Sequence, residues 1–273
     1  MPELYGLDAY SPREIAGRVN DFCVIKARMP LVTVSMLGVL AGAFIGLGAL
    51  MYTLVASDPT LGFAATRLLG GLAFSLGLIL VTVAGAELFT GNILMAMAWA
   101  SRRIGTRDIV RNWVLVYLGN AIGALGTVLF VAWSGIAHYE GGAVGETALH
   151  IARAKAALPW GEAFARGVLC NALVCLGIWL AIGGRSVADK IAAIVFPITA
   201  FVAMGFEHSI ANWFFLPYGL VLETTDALPA AGVVRNLVAV TAGNLVGGTL
   251  LVAGVYWVAY LRGDHAHPAS GTR

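Results

Sequence analysis

A histidine, two glutamates and two asparagines occupy matching stretches of an otherwise apolar sequence. The stretches are Gly85-Ala86-Glu87-Leu88-Phe89-Thr90-Gly91-Asn92 and Gly205-Phe206-Glu207-His208-Ser209-Ile210-Ala211-Asn212, and both have the form G-x-E-x4-N. Each stretch interrupts a helix and leaves free amide donors where the helix restarts, near Thr90 and near Ser209. A helix N-terminus carries a partial positive charge, so the two restarts together predict a place where an anion binds weakly.

His208 distinguishes the second stretch, because Leu88 occupies the matching place in the first. Histidine has an ordinary pKa of about 6.5, so it can donate a proton or a strong hydrogen bond under mild conditions. A bare anion in a dry constriction loses its hydration at a large free-energy cost, whereas its neutral conjugate acid loses far less. We expect His208 to share a proton with a weak-acid anion, and the Thr90 hydroxyl to be a second partner. Asn171 is a third polar candidate, for which the alternative is a hydrogen bond between helices.

Glu87 and Glu207 allow two interpretations. In one, each carboxylate accepts amide hydrogen bonds and braces the loop of its broken helix. In the other, the two carboxylates relay protons. Their symmetric placement favours the bracing role, and we interpret Asn92 and Asn212 in the same way.

The composition indicates which solvent surrounds these stretches. Of the 273 residues, 59% are hydrophobic and 12% are charged, which is about half the charged fraction of a soluble domain. Most of the exterior must therefore face lipid. A net charge of +2 gives no reason to expect nucleic-acid binding. Three cysteines, an odd number, argue against a disulfide framework. No metal or cofactor is expected, because haem or quinone sites in helix bundles need paired histidines and only His208 lies in an apolar run.

Six apolar runs reach the length of about 20 residues that a bilayer crossing needs. The second and the fifth contain the two interrupted stretches. The runs are Leu31–Ala56, Leu68–Ala100, Ile109–Ile136, Ala163–Ile182, Ile191–Leu222 and Val233–Leu261.

A second pair of motifs indicates that the chain is duplicated. Gly119-Asn120-Ala121-Ile122-Gly123 in the third run matches Gly243-Asn244-Leu245-Val246-Gly247 in the sixth. Two motifs in the same order predict a repeated three-helix unit. Because three spans are an odd number, the second copy enters from the opposite side, and the halves are related by a pseudo-two-fold axis in the membrane plane. The predicted fold class is an all-α integral membrane protein with six transmembrane helices, as two inverted repeats with broken second and fifth helices.

The predicted organisation has three parts. Residues 1–29 form an amphipathic segment, with Ile15, Val19, Phe22 and Ile25 at helical spacing, that lies on the membrane surface or against the bundle. Residues 30–262 form the membrane domain, with repeat one at 30–136 and repeat two at 160–262, and residues 263–273 form a tail. Most lysines and arginines fall on the side of the N-terminus, so both termini are expected to be cytoplasmic.

Large apolar side chains near the interrupted stretches are candidates for hydrophobic constrictions. Periodicity alone favours ordinary packing for each of them. The candidates are Phe74, Leu78, Leu88 and Phe89 in the first half and Val174 and Phe201 in the second.

The motifs together resemble the formate/nitrite transporter family. The resemblance rests on Gly71-Leu72-Ala73-Phe74-Ser75-Leu76-Gly77-Leu78, on the two G-x-E-x4-N stretches and on Asn171-Ala172-Leu173-Val174-Cys175-Leu176, and it covers all six spans. It implies an aquaporin-like fold, a homopentamer in the bacterial inner membrane and one pore per protomer that passes small monovalent anions and protons. It also implies that His208 is the central gating or protonating residue, with Thr90 and Asn171 beside it, and that the constrictions fall on Leu78, Leu88, Phe89, Val174 and Phe201.

The resemblance leaves the substrate open. Glu87 is the residue type found in nitrite channels, where formate channels typically have Asp, whereas Gly183-Gly184-Arg185-Ser186 and Leu216-Pro217 are closer to formate channels. The preferred substrate is formate, with nitrite or hydrosulfide as alternatives. Hypotheses of another class are a membrane redox subunit and a membrane scaffold. A water or neutral-solute channel is a nearer rival, but the two Asn-Pro-Ala boxes that it would need are absent from the sequence.

Overall fold

The computed structural model describes residues 9–225 and 228–262, and this part of the chain is helical and contains no strand. The tail predicted at 263–273 lies outside the described residues. The helices are α1 (Pro12–Ala27), α2 (Leu31–Ala56), α3 (Phe63–Ile79), α4 (Phe89–Asn92), α5 (Met95–Ala100), α6 (Thr106–Trp133), α7 (Ala143–Ala157), α8 (Trp160–Gly183), α9 (Val187–Ala203), α10 (Ser209–Leu222) and α11 (Ala230–Val246). Helix α3 continues as π-helix over Leu80–Gly85, a 3₁₀ segment at Ile136–Gly142 precedes α7, and α11 continues through π-helical segments at Gly247–Gly254 and Trp257–Leu261.

Within the described residues, five helical stretches have the length and hydropathy to cross a bilayer. They are Leu31–Ala56, Phe63–Gly85, Thr106–Trp133, Trp160–Gly183 and Ala230–Leu261. The fifth span along the chain is divided into α9 and α10, and the second is divided into α3 and the short helices α4 and α5. The predicted all-α membrane architecture, with breaks in the second and fifth spans, is confirmed.

Glycines allow the first and third spans of each half to pack backbone against backbone. A Cβ atom at Gly42 in α2 would collide with the backbone of Asn120 in α6, and one at Gly123 in α6 would collide with the backbone of α2. In the second half, a Cβ atom at Gly243 in α11 would collide with the carbonyl of Phe164 in α8. The pairs α2–α6 and α8–α11 therefore make the same contact in the two halves.

Helix α1 packs against the end of the bundle where α5 and α8 lie. It begins with a capping box, in which the Ser11 hydroxyl accepts a hydrogen bond from the Glu14 amide and the Glu14 carboxylate accepts one from the Ser11 amide. Its buried face consists of Ile15, Val19 and Cys23, which are four residues apart. Burial raises the pKa of the Cys23 thiol to about 12, so this cysteine stays protonated.

Candidate functional site

The two breaks end their helices in the same way. Gly85 and Gly205 have φ angles of 84° and 72°, a left-handed conformation that glycine adopts at low cost at the end of a helix. The residues before each restart, Leu88 and His208, are extended, with φ and ψ of −105° and 125° and of −109° and 116°. Helix α4 then begins at Phe89 and α10 at Ser209. The glycine of each G-x-E-x4-N stretch thus ends one helix, and the next helix begins four residues later.

One asparagine bridges each break. Asn120 Oδ1 accepts the amide hydrogen of Phe89 at 2.9 Å, and Asn120 Nδ2 donates to the carbonyls of Glu87 at 2.9 Å and Gly38 at 2.7 Å. The side-chain amide therefore binds both sides of the break and also fixes them to α2. The same side chain satisfies the first amide of the restart, which the sequence had indicated would be free for an anion.

Asn244 repeats this arrangement in the second half. Its Oδ1 accepts the amide hydrogen of Ser209 at 2.9 Å, and its Nδ2 donates to the carbonyls of Glu207 at 3.0 Å and Gly167 at 2.8 Å. Within the described part of the chain, the amides that remain without an acceptor at the restarts include those of Thr90 and Ile210. The donors available to an anion thus lie within the predicted positions near Thr90 and Ser209, although the Ser209 amide itself is occupied.

The carboxylate of Glu87 is held by a lysine and an asparagine. Lys26 Nζ in α1 lies 2.6 Å from Glu87 Oε1, and Asn92 Nδ2 donates to Glu87 Oε2 at 2.7 Å. Lys26 also donates to Asn92 Oδ1 at 3.0 Å, and Asn92 donates to Asn112 Oδ1 in α6 at 2.9 Å. The glutamate is therefore compensated by a cation from α1 and tied to the third span.

Glu207 has the same set of partners. Lys155 Nζ in α7 lies 2.9 Å from Glu207 Oε1, and Asn212 Nδ2 donates to Glu207 Oε2 at 2.7 Å and to Asn236 Oδ1 in α11 at 2.7 Å. Asn112 and Asn236 each donate in turn to the carbonyl of the lysine, at 3.4 Å and 2.9 Å. The structural equivalence of the halves therefore includes α1 and α7.

Sequence reasoning missed Lys26 and Lys155, although a signal for them is present. Lys26-Ala27-Arg28-Met29-Pro30 precedes α2, and Lys155-Ala156-Ala157-Leu158-Pro159 precedes α8, so both have the form K-A-x-x-P. In addition, Arg111-Asn112 in α6 matches Arg235-Asn236 in α11. Comparing the segments before each three-span unit would have extended the repeat and identified both lysines.

His208 and Thr90 meet where the two restarted helices approach each other. His208 Nε2 lies 3.0 Å from Thr90 Oγ1, and both residues are buried. The Nδ1 atom of His208 accepts the amide hydrogen of Ala211 at 3.0 Å, which caps α10. Because an amide can only donate, Nδ1 carries no proton, and the proton of the neutral ring is on Nε2. The imidazole therefore directs its N–H at the Thr90 hydroxyl.

Asn171 lies behind Thr90. Its Nδ2 donates to the carbonyl of Thr90 at 3.3 Å and to the carbonyl of Asn244 at 2.8 Å. The thiol of Cys175, one turn further along α8, also donates to the Thr90 carbonyl, at 3.6 Å. The Oδ1 atom of Asn171 is buried and has no partner among the described residues. The predicted hydrogen bond between helices is thus present, and one polar atom of the same side chain remains available.

The six predicted constriction residues all belong to the main buried cluster. Phe74 and Phe201 form an edge-to-face pair with ring centroids 5.7 Å apart, and Phe201 also stacks on the His208 ring at 5.9 Å. The cluster includes Phe74, Leu78, Leu88, Phe89, Val174 and Phe201. Apolar side chains therefore surround the His208–Thr90 contact.

A cavity of about 390 Å³ leads to His208 from the end of the bundle where α7 lies. Phe74, Phe201 and His208 line its inner part. More basic than acidic side chains line it. The basic ones are Arg67, His150, Lys155 and Arg166, and the acidic one is Glu207. Because Lys155 already compensates Glu207, the cavity is electropositive, and it can concentrate anions next to the imidazole.

Comparisons with known proteins agree with this geometry. The family model described as "Formate/nitrite transporter" matches residues 13–258. The formate channel FocA of Escherichia coli strain K12 is 38% identical over 95% of this chain and 98% of its own length. A probable formate transporter of Methanothermobacter thermautotrophicus is also 38% identical, over 92% of this chain and 97% of its own.

Two solved structures have the same fold. A pentameric formate channel with formate bound is 37% identical, with a TM-score of 0.79 over 85% of this chain and 98% of that chain. An ion channel of the FNT family is 29% identical, with a TM-score of 0.83 over 90% of this chain and 98% of that chain. By sequence, by fold and by the arrangement of its two broken helices, this chain belongs to the formate/nitrite transporter family.

Proposed function

We propose that this protein passes formate across the bacterial inner membrane, with His208 as the central residue that donates a proton to the anion. The observation that carries the proposal is the contact between His208 Nε2 and Thr90 Oγ1 at 3.0 Å, at the inner end of an electropositive cavity. Relatives named as formate channels, and a related structure with formate bound, support this substrate class.

The energetic difficulty of the passage is the loss of hydration in the apolar centre. A carboxylate without water or a partner is strongly disfavoured there, whereas a neutral acid is not. The Nε2–H of His208 is placed to donate a hydrogen bond to a formate oxygen, and the Thr90 hydroxyl can donate a second one. Because the resting ring is neutral, transfer of the Nε2 proton to formate requires that a proton from the aqueous side first binds Nδ1, in place of the hydrogen bond from the Ala211 amide. The transfer then leaves a neutral imidazole, and the site returns to its starting state when the ring proton is again on Nε2 and Nδ1 again accepts the Ala211 amide.

The apolar side chains around this contact exclude water. Phe74 and Phe201 form the wall toward the α7 cavity, and Leu78 and Val174 belong to the same cluster. Leu88 and Phe89 flank the first restart. Their role in the proposal is to make passage depend on proton sharing, because apolar side chains cannot replace the hydrogen bonds of an ion's hydration shell.

Glu87 and Glu207 brace their loops in this proposal. Each carboxylate has a lysine within 3 Å of one oxygen and an asparagine on the other, so both oxygens are engaged by structural partners. A proton relay would need a carboxylate oxygen that is free to contact the anion or water, and here the lysine and the asparagine occupy both oxygens. Asn92 and Asn212 complete the braces.

We further infer that the protein is a homopentamer with cytoplasmic termini and an aquaporin-like arrangement of its half-helices. The related pentameric formate channel supports the assembly. The excess of basic residues on the side of α1 supports the orientation.

Flux measurements test the proposal. Purified protein in liposomes should take up labelled formate faster than nitrite between about pH 4 and pH 8, and His208→Ala should reduce formate uptake to the level of empty liposomes. His138→Ala, in the 3₁₀ segment before α7, is the matched control and should leave uptake unchanged. Unchanged uptake in His208→Ala would contradict the role of the imidazole, and faster nitrite uptake would make nitrite the substrate.

A further inference from the structure

A second cavity lies at the other end of the bundle, beside the end of α1. Its volume is about 650 Å³, and it is formed where α1 ends, where α5 connects to α6 and where the last π-helical segment passes. Three arginines line it, Arg28, Arg102 and Arg103, together with the single acidic residue Asp108. This cavity is separate from the His208–Thr90 site and belongs to no part of the proposed pathway.

The positive charge in this cavity is incompletely compensated. Arg103 pairs with Asp21 at 2.6 Å, but the two side chains are 40% and 66% exposed, so the pair is weak. Asp108 uses its Oδ2 to accept the Gly105 amide at the start of α6. Among the described residues, neither Arg28 nor Arg102 has an ion-pair partner. The lining therefore attracts an anion.

A tryptophan supplies an unused hydrogen-bond donor. Trp257 lines the cavity, and its Nε1–H is buried without an acceptor in the described part of the chain. A buried N–H without a partner is unfavourable by about 1 to 3 kcal/mol, so the wall of the cavity contains a polar group that the described residues do not satisfy. Trp99, also in the lining, donates instead to the Thr106 hydroxyl at 3.0 Å.

The surface next to the cavity favours a lipid over a free ion. Val110, Val114 and Leu118 follow one face of α6 directly beyond the cavity, and they are 49%, 51% and 54% exposed. Residues four apart form a continuous stripe along a helix. Basic and tryptophan side chains at the end of such a stripe are typical of the level at which phospholipid headgroups lie.

We propose that this cavity binds the phosphate of an anionic phospholipid, with Arg28, Arg102 and Arg103 around the headgroup and the acyl chains along the α6 stripe. Charge complementarity selects an anionic headgroup over a zwitterionic one. The apolar stripe favours a lipid over inorganic phosphate, because a lipid contacts both the cavity and the stripe, whereas inorganic phosphate contacts the cavity alone.

Lipid titration of the full-length protein in detergent tests the proposal, with retained lipids counted by native mass spectrometry. Phosphatidylglycerol should bind more tightly than phosphatidylcholine. Arg28→Gln/Arg102→Gln should weaken its binding about thirtyfold, since each interfacial arginine contributes about a factor of five. Arg107→Gln/Arg262→Gln removes the same charge from residues outside the cavity and should have little effect.

Several outcomes would overturn the proposal. Equal binding of the two lipids, or equal losses in the two double variants, would show that no specific site exists. If millimolar inorganic phosphate displaced bound phosphatidylglycerol as effectively as added phosphatidylglycerol does, the lipid would be excluded as the specific ligand. The variant Arg28→Lys/Arg102→Lys keeps both positive charges and should therefore retain most of the affinity for the lipid. This control separates loss of charge from misfolding. A large loss of affinity in this variant, when it is normally folded, would contradict the charge argument.

Discussion

His208 Nε2 and Thr90 Oγ1 lie 3.0 Å apart, although 118 positions separate the two residues in the sequence. One side chain comes from the first broken helix and the other from the second. The contact is therefore made only when both halves of the chain are folded against each other. Asn171 strengthens this dependence, because it donates both to the Thr90 carbonyl in the first half and to the Asn244 carbonyl in the second.

Removing the Thr90 hydroxyl should slow formate passage. Thr90→Ala leaves the Nε2–H of His208 without its partner, and a lost hydrogen bond of this kind corresponds to about a tenfold lower rate. Thr90→Ser keeps the hydroxyl and should retain most of the flux. Uptake into proteoliposomes is the measurement, and equal rates for the alanine and serine variants would show that the hydroxyl has no part in transport.

Breaking the ion pair of the second brace should destabilise the protein. Lys155→Met leaves the buried Glu207 carboxylate without a cation, at a cost of about 2 kcal/mol after allowance for the 16% exposure of the lysine side chain. Lys155→Met/Glu207→Gln should recover most of this loss, since no charge remains to be compensated. Denaturant unfolding measures both effects, with Lys190→Met as the control. A double variant no more stable than the single one would contradict the pairing.

Replacing two different glycines with alanine should change the stability of the protein in opposite directions. Gly42→Ala forces α2 away from the Asn120 backbone and should lower the free energy of unfolding by about 3 kcal/mol. Gly126→Ala in α6 meets no atom within 4 Å, so the gain in helix propensity should raise stability by about 0.5 to 1 kcal/mol. Thermal unfolding in detergent compares the two. A tolerated Gly42→Ala would mean that the two helices can separate without loss.

Acid should weaken the contact between α7 and the end of α10. Arg153 donates to both carboxylate oxygens of Glu223, at 2.9 and 2.8 Å, and these hydrogen bonds lower the pKa of Glu223 to about 2 from an ordinary value of 4.5. Since the pKa is lower in the folded state, the stabilisation is complete above pH 4.5 and is lost as the pH falls towards 2. Glu223→Gln should remove this part of the pH dependence.

Melting temperatures between pH 6 and pH 2 check the expectation for Glu223. Glu162→Gln is the control, because its pair with Arg166 is exposed and contributes little. Identical pH profiles for wild type and Glu223→Gln would show that this pair does not contribute to acid stability.

The sequence was sufficient to predict the broken helices and to place His208 and Thr90 at the two breaks, because both features depend on local motifs and on the repeat. It was insufficient for the braces. Lys26 and Lys155 lie on amphipathic helices, where a charge ordinarily faces water, and only the packing of these helices brings each ammonium group to a glutamate. The sequence also could not reveal that Asn120 bridges the break. A Gly-Asn pair in a membrane span is the same in sequence whether the asparagine binds both sides of a broken helix or joins two intact helices.

The duplicated halves differ at the residue before each helix restart, which is leucine at position 88 and histidine at position 208. Two separate copies of one half, assembled as a symmetric dimer, would carry the same residue at both places. They would have either two imidazoles facing one anion or none. Joining the halves in a single polypeptide allows one half to keep an imidazole while the other keeps an apolar side chain, so a single imidazole lies where the two restarted helices approach each other.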